Sequence, residues 1–488
     1  MKICLMIPPA KGGFKIPERI YGCSYNIYPQ PDLPLLYVAA AIEAKGHDVT
    51  YKDFVLDEEG WEEVDEFLKN NRFDAFIFHT VLLSQKPDLK TCKGIRKIQD
   101  NVPIVFFGPQ PTYFPEPFLF DDKAFIIRGE PEESIQEFFE ELGKEKPEFE
   151  KVRGLTFRRG EKTIKNESFG IIKDINNIPF PARHLIAEYS DKFFNPKLTK
   201  RPMTVMLTSR GCPYRCYFCV PNSLSWAREL EWKEGHEHKP PITVRSAQNI
   251  IDEFKQIKEE GYKSISIIDD MFLVGGTQRI LDICEGVKDL GIEFGILARA
   301  DHTLDLEMLK ALKKAGCQYI DLGVESFNEK ILKYIKKDLD PNIVKKSIEL
   351  IREAGIEPKI NIMFGTCHLD SKEEIMKTIK RACELPVDYA MFSITTPFPG
   401  TEFEKVALEK GWIVKDKYER MLKELDPSKS ALISYEHLSD KDLERLAKIA
   451  NRKFYLRPKR ILRQMKRIKT FKDLVDTLKG GIQLIKGK

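Results

Sequence analysis

Hydrophobic positions along this chain keep two rhythms. Short apolar runs alternate with longer stretches in which apolar residues recur every three or four positions. The first kind reads as buried strand and the second as amphipathic helix. In the first third the strand-like runs are "KICLMIP", "DVTYKDF", "FDAFIFHT", "VPIVFFGP" and "AFIIRGE". Between and after them lie the helix-like stretches "LPLLYVAAAIEAKGH", "EEVDEFLKNN", "DLKTCKGIRKIQD" and "PEESIQEFFEELG", the first with Gly46 as its stop. Such alternation predicts βαβ units and a parallel sheet. Residues 1–145 are therefore expected to form a Rossmann-like, doubly wound domain. Ligands of these sheets bind beyond the carboxyl ends of the strands. Thr80, Gly108, Pro109 and Gly129 fall at those ends. Glycine there lets a bulky ligand approach the backbone, although an ordinary turn would also account for each one.

Residues 146–200 are charged and irregular, with "NNIPFPARHLI" resembling an interdomain crossing, and read as a linker. From 201 to 410 the alternation resumes. Six strand-like runs follow: "MTVMLTSRG", "KSISIIDD", "EFGILARA", "YIDLGVES", "PKINIMFG" and "YAMFSITTPFPG". Six βα units are two short of a closed barrel, so a partial (βα)6 TIM-type barrel is expected, with its active site at the C-terminal ends of the strands. Those ends carry Cys212, Asp269 and Asp270, Arg299, Glu325 and Ser326, Gly365 and Thr396. Residues 411–488 complete an α/β chain as a helical extension with a basic tail.

Composition narrows the class. The 488 residues are 42% hydrophobic and 32% charged, as in soluble globular proteins. No apolar run is long enough to span a bilayer. "MKICLMIPPAKGG" lacks the apolar core and cleavage site of a signal peptide. Ten cysteines in so long a chain are no disulfide framework, which points to a reducing cytoplasm. The net charge of +4 hides an asymmetry: Arg452 to Lys488 holds thirteen Lys or Arg against two Asp, which leaves the remainder mildly acidic. In this tail Ile461, Met465, Ile468, Leu474, Val475 and Leu478 recur at helical spacing. A basic amphipathic helix suits anionic lipid head groups at the inner membrane face. Nucleic acid attracts the same charges but is the weaker rival here, and a helix packed on the barrel with a solvated basic face is the plain alternative.

The chemistry centres on "RGCPYRCYFC", where Cys212, Cys216 and Cys219 form CxxxCxxC. A structural zinc site closes with four ligands, and His236 and His238 are not at zinc-finger spacing. An iron–sulfur cluster usually takes four thiolates; three leave one iron open for a substrate or cofactor. Pro213, Tyr214 and Arg215 are poor company for three merely packed thiols. Cys284, Cys317 and Cys383 read as core; Cys367 stands apart because it follows a strand-end glycine.

CxxxCxxC with an aromatic before its last cysteine, at the end of a first barrel strand, resembles the radical S-adenosylmethionine (SAM) superfamily. The resemblance implies that Cys212, Cys216 and Cys219 hold a [4Fe-4S] cluster. The open iron would chelate S-adenosylmethionine, whose reductive cleavage gives a 5′-deoxyadenosyl radical. Such an enzyme draws its electron from a donor such as ferredoxin or flavodoxin. Phe218 would pack beside the adenine. Asp270 stands roughly where the family often has Gly-Gly-Glu, although "IIDDMF" departs from that motif. Arg299 would pair with the carboxylate, and Glu325 in "GVES" would accept the ribose hydroxyls; a structural ion pair is the competing role for each. With "PDLPLLYVAAAIEAKGHDV", "VFFGPQPT" and "IIRGEPEES", the first domain resembles that of the cobalamin-binding members, a likeness covering about residues 1–410. The Asp-x-His-x-x-Gly signature is missing, and His47 and His79 are the domain's only histidines. Cobalamin is still implied, with a vestigial or substrate-binding domain as the alternative. A methylthiotransferase would carry a second cluster on Cys4, Cys23 and Cys92, yet Cys4 lies mid-strand and Cys92 mid-helix. Relatives of this architecture modify hydrophobic molecules by methyl transfer or ring closure, so a lipid-linked substrate is expected. A non-enzymatic iron–sulfur scaffold is the remaining reading.

Overall fold

The computed structural model describes residues 1–9, 18–22, 28–424, 430–458 and 460–461. Two compact units emerge: Met1–Pro213 with Val220–Phe294, and Tyr214–Cys219 with Gly295–Lys488.

In the first unit the strands are β1 (Lys2–Ile7), β2 (Asp48–Asp53), β3 (Ala75–His79), β4 (Ile104–Phe107) and β5 (Ala124–Ile127). The helices are α1 (Leu33–Glu43), α2 (Trp61–Asn70), α3 (Gln85–Ile98), α4 (Pro109–Tyr113) and α5 (Pro131–Leu142). The five strands are parallel, and β1, β3, β4 and β5 are buried along nearly all their length, as their continuous apolar runs require. Local chemistry sets the helix ends. The Asp32 side chain accepts from Leu35 N at the start of α1, and Pro131 opens α5, where a missing N–H costs nothing. The sheet order is β2-β1-β3-β4-β5-β6-β7. Its order reverses at β1 and β3, the switch point at which such sheets open a crevice for ligand.

The stretch expected to be a linker contributes to this sheet. β6 (Leu155–Arg159) and β7 (Lys162–Lys165) form an antiparallel hairpin, and β6 pairs with β5. Its outward-facing charges obscure the pattern, since β7 is largely exposed.

A second sheet has six strands in the order β15-β14-β13-β12-β11-β8, as the partial barrel requires. These are β8 (Met203–Met206), β11 (Ser264–Ile267), β12 (Glu293–Ala298), β13 (Cys317–Glu325), β14 (Glu357–Phe364) and β15 (Tyr389–Ile394). "MTVMLTSRG", expected as one strand, breaks after Met206. Its end forms β9 (Ser209–Arg210), which pairs antiparallel with β10 (Thr243–Val244). The connecting helices include α6 (Ser223–Lys233), α7 (Ala247–Glu259), α8 (Thr277–Val287), α9 (Leu306–Ala315), α10 (Glu329–Tyr334), α11 (Ile343–Glu353) and α12 (Lys372–Glu384). α13 (Glu402–Glu409), α14 (Lys415–Glu424) and α15 (Asp440–Tyr455) follow. Of the expected tail helix, Met465, Ile468, Leu474, Val475 and Leu478 lie outside the described residues.

Candidate active site

The cysteine loop follows β9, and in the first unit its stems are held by two neighbouring carboxylates at the end of β11. Asp269 is buried and accepts from Thr208 N at 2.6 Å and from Ser209 Oγ at 2.7 Å, which fixes the break between β8 and β9. Asp270 accepts from Gly211 N at 3.2 Å on one stem, and from Asn222 N and Nδ2 at 2.8 and 2.9 Å on the other. Asn222 in turn caps α6. Burial pushes the Asp270 carboxyl up to about 6, against these hydrogen bonds. The residue expected to meet S-adenosylmethionine thus anchors the loop.

Beside it runs a buried ionic network. Arg210 pairs with Glu130 at 2.7 Å and with Glu132, both at the start of α5. Arg228 on α6 donates to Arg210 O at 3.0 Å, and Arg128 pairs with Glu231 at 2.8 Å. Two elements of the ligand-binding sheet, the end of β5 and the start of α5, are thereby tied to the segment that leads into Cys212.

In the second unit, Cys219 N donates to Cys216 O at 3.2 Å, closing a turn between the last two cysteines. Tyr217 is buried; its N–H donates to Ile335 O at 3.2 Å and its carbonyl accepts from Phe403 N at 2.9 Å. Phe218, the expected adenine neighbour, is half-buried, edge-on to Tyr217. Arg299 stacks its guanidinium 3.5 Å over the Tyr214 ring, pairs with Asp301 at 2.7 Å and donates to Lys337 O at 2.7 Å. Its side chain therefore already has one carboxylate partner. Glu325 ends β13 at φ +65° and pairs with Lys337 at 3.2 Å.

Cys383, expected in the core, is half-buried, whereas five other cysteines among the described residues are buried. Cys4, Cys92, Cys284, Cys317 and Cys367 are buried, and burial pushes the thiols of Cys284 and Cys367 up to about 12. Cys367 therefore joins the packed set despite its strand-end position. Burial of Cys4 and Cys92 removes the basis for an N-terminal cluster; Cys23 lies outside the described residues. Cys212, Cys216 and Cys219 are half-buried. A partly exposed trio of thiols in a strand-end loop suits an iron–sulfur cluster by donor chemistry. Among the described residues no three His, Cys, Asp or Glu side chains are gathered as a preformed metal site. The cluster assignment accordingly stands on the motif and its place in the fold.

At the switch point of the first sheet, Thr80 is buried and donates to Asp88 at 2.8 Å. Pro109 begins α4. Gly108 has φ +109°, and a Cβ there would lie 2.7 Å from Thr80 O. A Cβ on Gly129 would meet Glu231 at 3.4 Å. Packing within the protein explains Gly108, and a φ of +68° explains Gly129. The sequence did not single out the dyad beside them. His79 is 1% exposed, its Nδ1 lies 2.8 Å from Asp32 Oδ1, and its Nε2 has no hydrogen-bond partner among the described residues. An orphaned buried nitrogen at the ligand edge of a parallel sheet fits a polar cofactor. Nothing in the sequence pattern couples His79 to Asp32, which is 47 positions away.

Residues 206–368 match the family model of the radical SAM superfamily, and residues 27–139 match that of the B12 binding domain. The chain thus carries a radical SAM domain preceded by a B12-binding domain. It is 28% identical over 471 residues, 95% of each chain, to "uncharacterized methyltransferase PH0819" of Pyrococcus horikoshii. It is 27% identical to hopanoid C-3 methylase of Methylococcus capsulatus, over 76% of this chain and 67% of that one. In fold it resembles the radical S-adenosylmethionine methyltransferase TsrM of Kitasatospora setae, solved with cobalamin and a [4Fe-4S] cluster bound. That likeness has a TM-score of 0.63 at 16% identity and covers 85% of this chain and 78% of that one.

Proposed function

We propose that this chain is a cobalamin-dependent radical SAM methyltransferase that acts on an unactivated carbon of a hydrophobic or lipid-linked substrate. The observation that carries the reading is the B12-binding match at 27–139 joined to the radical SAM match at 206–368, in a chain that aligns over 95% of its length with a relative named an uncharacterized methyltransferase. When bound, the cluster supplies the electron that cleaves S-adenosylmethionine, and cobalamin supplies the methyl group. Cys212, Cys216 and Cys219 would hold the cluster. Asp269 and Asp270 hold the stems of their loop. His79, with Asp32 behind it, and the ends of β3, β4 and β5 would receive cobalamin. Phe218, Glu325 and Arg299 are the proposed S-adenosylmethionine neighbours; for Arg299 this requires exchange of Asp301 for the substrate carboxylate. The lipid-like substrate is supported by the hopanoid methylase relative and by the basic tail. No helix among the described residues is long and apolar enough to cross a membrane, so contact with lipid would be peripheral.

The test is an absorbance spectrum of anaerobically purified, iron-reconstituted protein after incubation with hydroxocobalamin and desalting. The expected result is cluster absorbance together with about one cobalamin per chain, and loss of the cluster in Cys216→Ala. A cluster without cobalamin would overturn methyl transfer and favour ring closure. No cluster in the wild type would overturn the whole reading.

A further inference from the structure

A buried lysine stands among the groups that hold Cys216. Lys337 is 6% exposed, and its Nζ lies 3.2 Å from Glu325 Oε1. Its carbonyl accepts from Arg299, whose guanidinium stacks on Tyr214 two residues before Cys216. Its N–H donates to Leu332 O at 2.9 Å, in the turn whose Ile335 carbonyl accepts from Tyr217 N, one residue after Cys216. Burial opposes the charge on this ammonium group, the Glu325 carboxylate sustains it first and Cys216 after it, and the Arg299 cation opposes it.

The surrounding backbone is shaped to seat the pair. Glu325, Lys336 and Asp338 all adopt positive φ, at 65°, 55° and 48°, although none is glycine. Strain of that kind persists where the surroundings impose it, and it gathers at functional sites. Gly323 provides the niche: a Cβ there would lie 2.8 Å from Lys337 Nζ and 2.7 Å from Glu325 Oε1. A surface ion pair would need none of this.

We infer that Lys337 is a positioning residue for the radical chemistry: its ammonium group, held by Glu325 and set in the turn that grips Tyr217 N, raises the reduction potential of the bound cluster. The inference rests on the cluster reading above. One electron from a low-potential one-electron donor converts the oxidised [4Fe-4S] cluster to its reduced form and adds one negative charge. A buried cation acts on that charge through a medium far less polarisable than water, so it favours the reduced form. Glu325 tempers the same field and keeps the cation in place.

The test is a potentiometric titration of the reconstituted full chain, with dithionite as reductant and the reduced cluster read by electron paramagnetic resonance. Iron content is measured in parallel. Lys337→Met should shift the midpoint negative at unchanged iron content, and Lys337→Arg should stay near wild type. Glu325→Gln should shift it positive. An unchanged midpoint in Lys337→Met with a full cluster overturns the inference, as does a negative shift in Glu325→Gln. Should Lys337→Met fail to retain iron, the sign of the Glu325→Gln shift decides. A wild type without iron would instead overturn the cluster reading itself.

Discussion

Asp270 separates the order of the cysteine loop from the stability of the chain. In Asp270→Asn the carboxylate that bridges Gly211 and Asn222 becomes an amide. Burial raises that carboxyl from 3.8 to about 6. At about 1.4 kcal/mol per pH unit, the ionised group therefore carries about 3 kcal/mol of unfavourable free energy in the folded chain at pH 8. The amide removes this term. It also keeps a single acceptor oxygen and turns an N–H2 toward one of the donors that the carboxylate had satisfied. Leaving that buried donor without an acceptor costs about 1–3 kcal/mol. The two terms nearly cancel, so urea denaturation at pH 8 should show a change within about 1 kcal/mol. The loop should behave otherwise. Opening of its stems becomes easier by about 1–3 kcal/mol, which is about a 5- to 150-fold gain in the exchange of the Gly211 and Asn222 amides. Hydrogen-exchange mass spectrometry on peptides spanning 205–225 reads this directly, and iron bound per chain should fall in parallel. A global loss above about 3 kcal/mol would refute the cancellation. Unchanged exchange at both stems would refute the anchoring role.

Arg210→Met should strand Glu132 in the interior, leave Glu130 to Ile172 N and the more distant Arg228, and cost about 3–5 kcal/mol in urea denaturation at pH 8; a change below about 1 kcal/mol would mean that Glu132 finds another partner. Stability should rise as pH falls from 8 to 6. Burial raises Asp53 to about 7 and Asp370 to about 6, so the folded chain binds protons that the unfolded chain releases between about 4 and 7. The melting temperature should follow, and Asp53→Asn should flatten the slope. Gly295→Ala should abolish soluble expression, because a Cβ there would lie 2.0 Å from the Tyr319 ring; Tyr319→Ala in the same chain should restore it. Deletion of residues 462–488 should remove binding to phosphatidylglycerol vesicles in co-sedimentation, and undiminished binding would move the lipid contact elsewhere.

Period and length sufficed for most strands and helices, because βα units write their burial into short, contiguous runs. The hairpin of β6 and β7 escaped because an exposed edge carries charge where a core strand would carry valine. The break after Met206 escaped for a different reason: Asp269 imposes it from 61 positions away through Thr208. The same division runs through the site. Three cysteines at fixed spacing are legible because local sequence alone presents them in one loop. The residues that hold that loop are not, because each acts across a long separation: Asp270 on Gly211, Arg210 on Glu132 and Arg299 on Tyr214. Asp270 and Arg299 are legible as strand-end polar residues, but their hold on the loop is not, since position at a barrel mouth does not show which distant segment a side chain reaches. Lys337 lies in the charged run "YIKKD" and carries no local mark at all. Its burial depends on Gly323 being free of a Cβ and on Glu325 turning through a left-handed conformation. The electrostatics of the site are thus a property of the folded barrel end, and substitutions at Gly323 should perturb the Lys337–Glu325 pair as surely as changes to the pair itself.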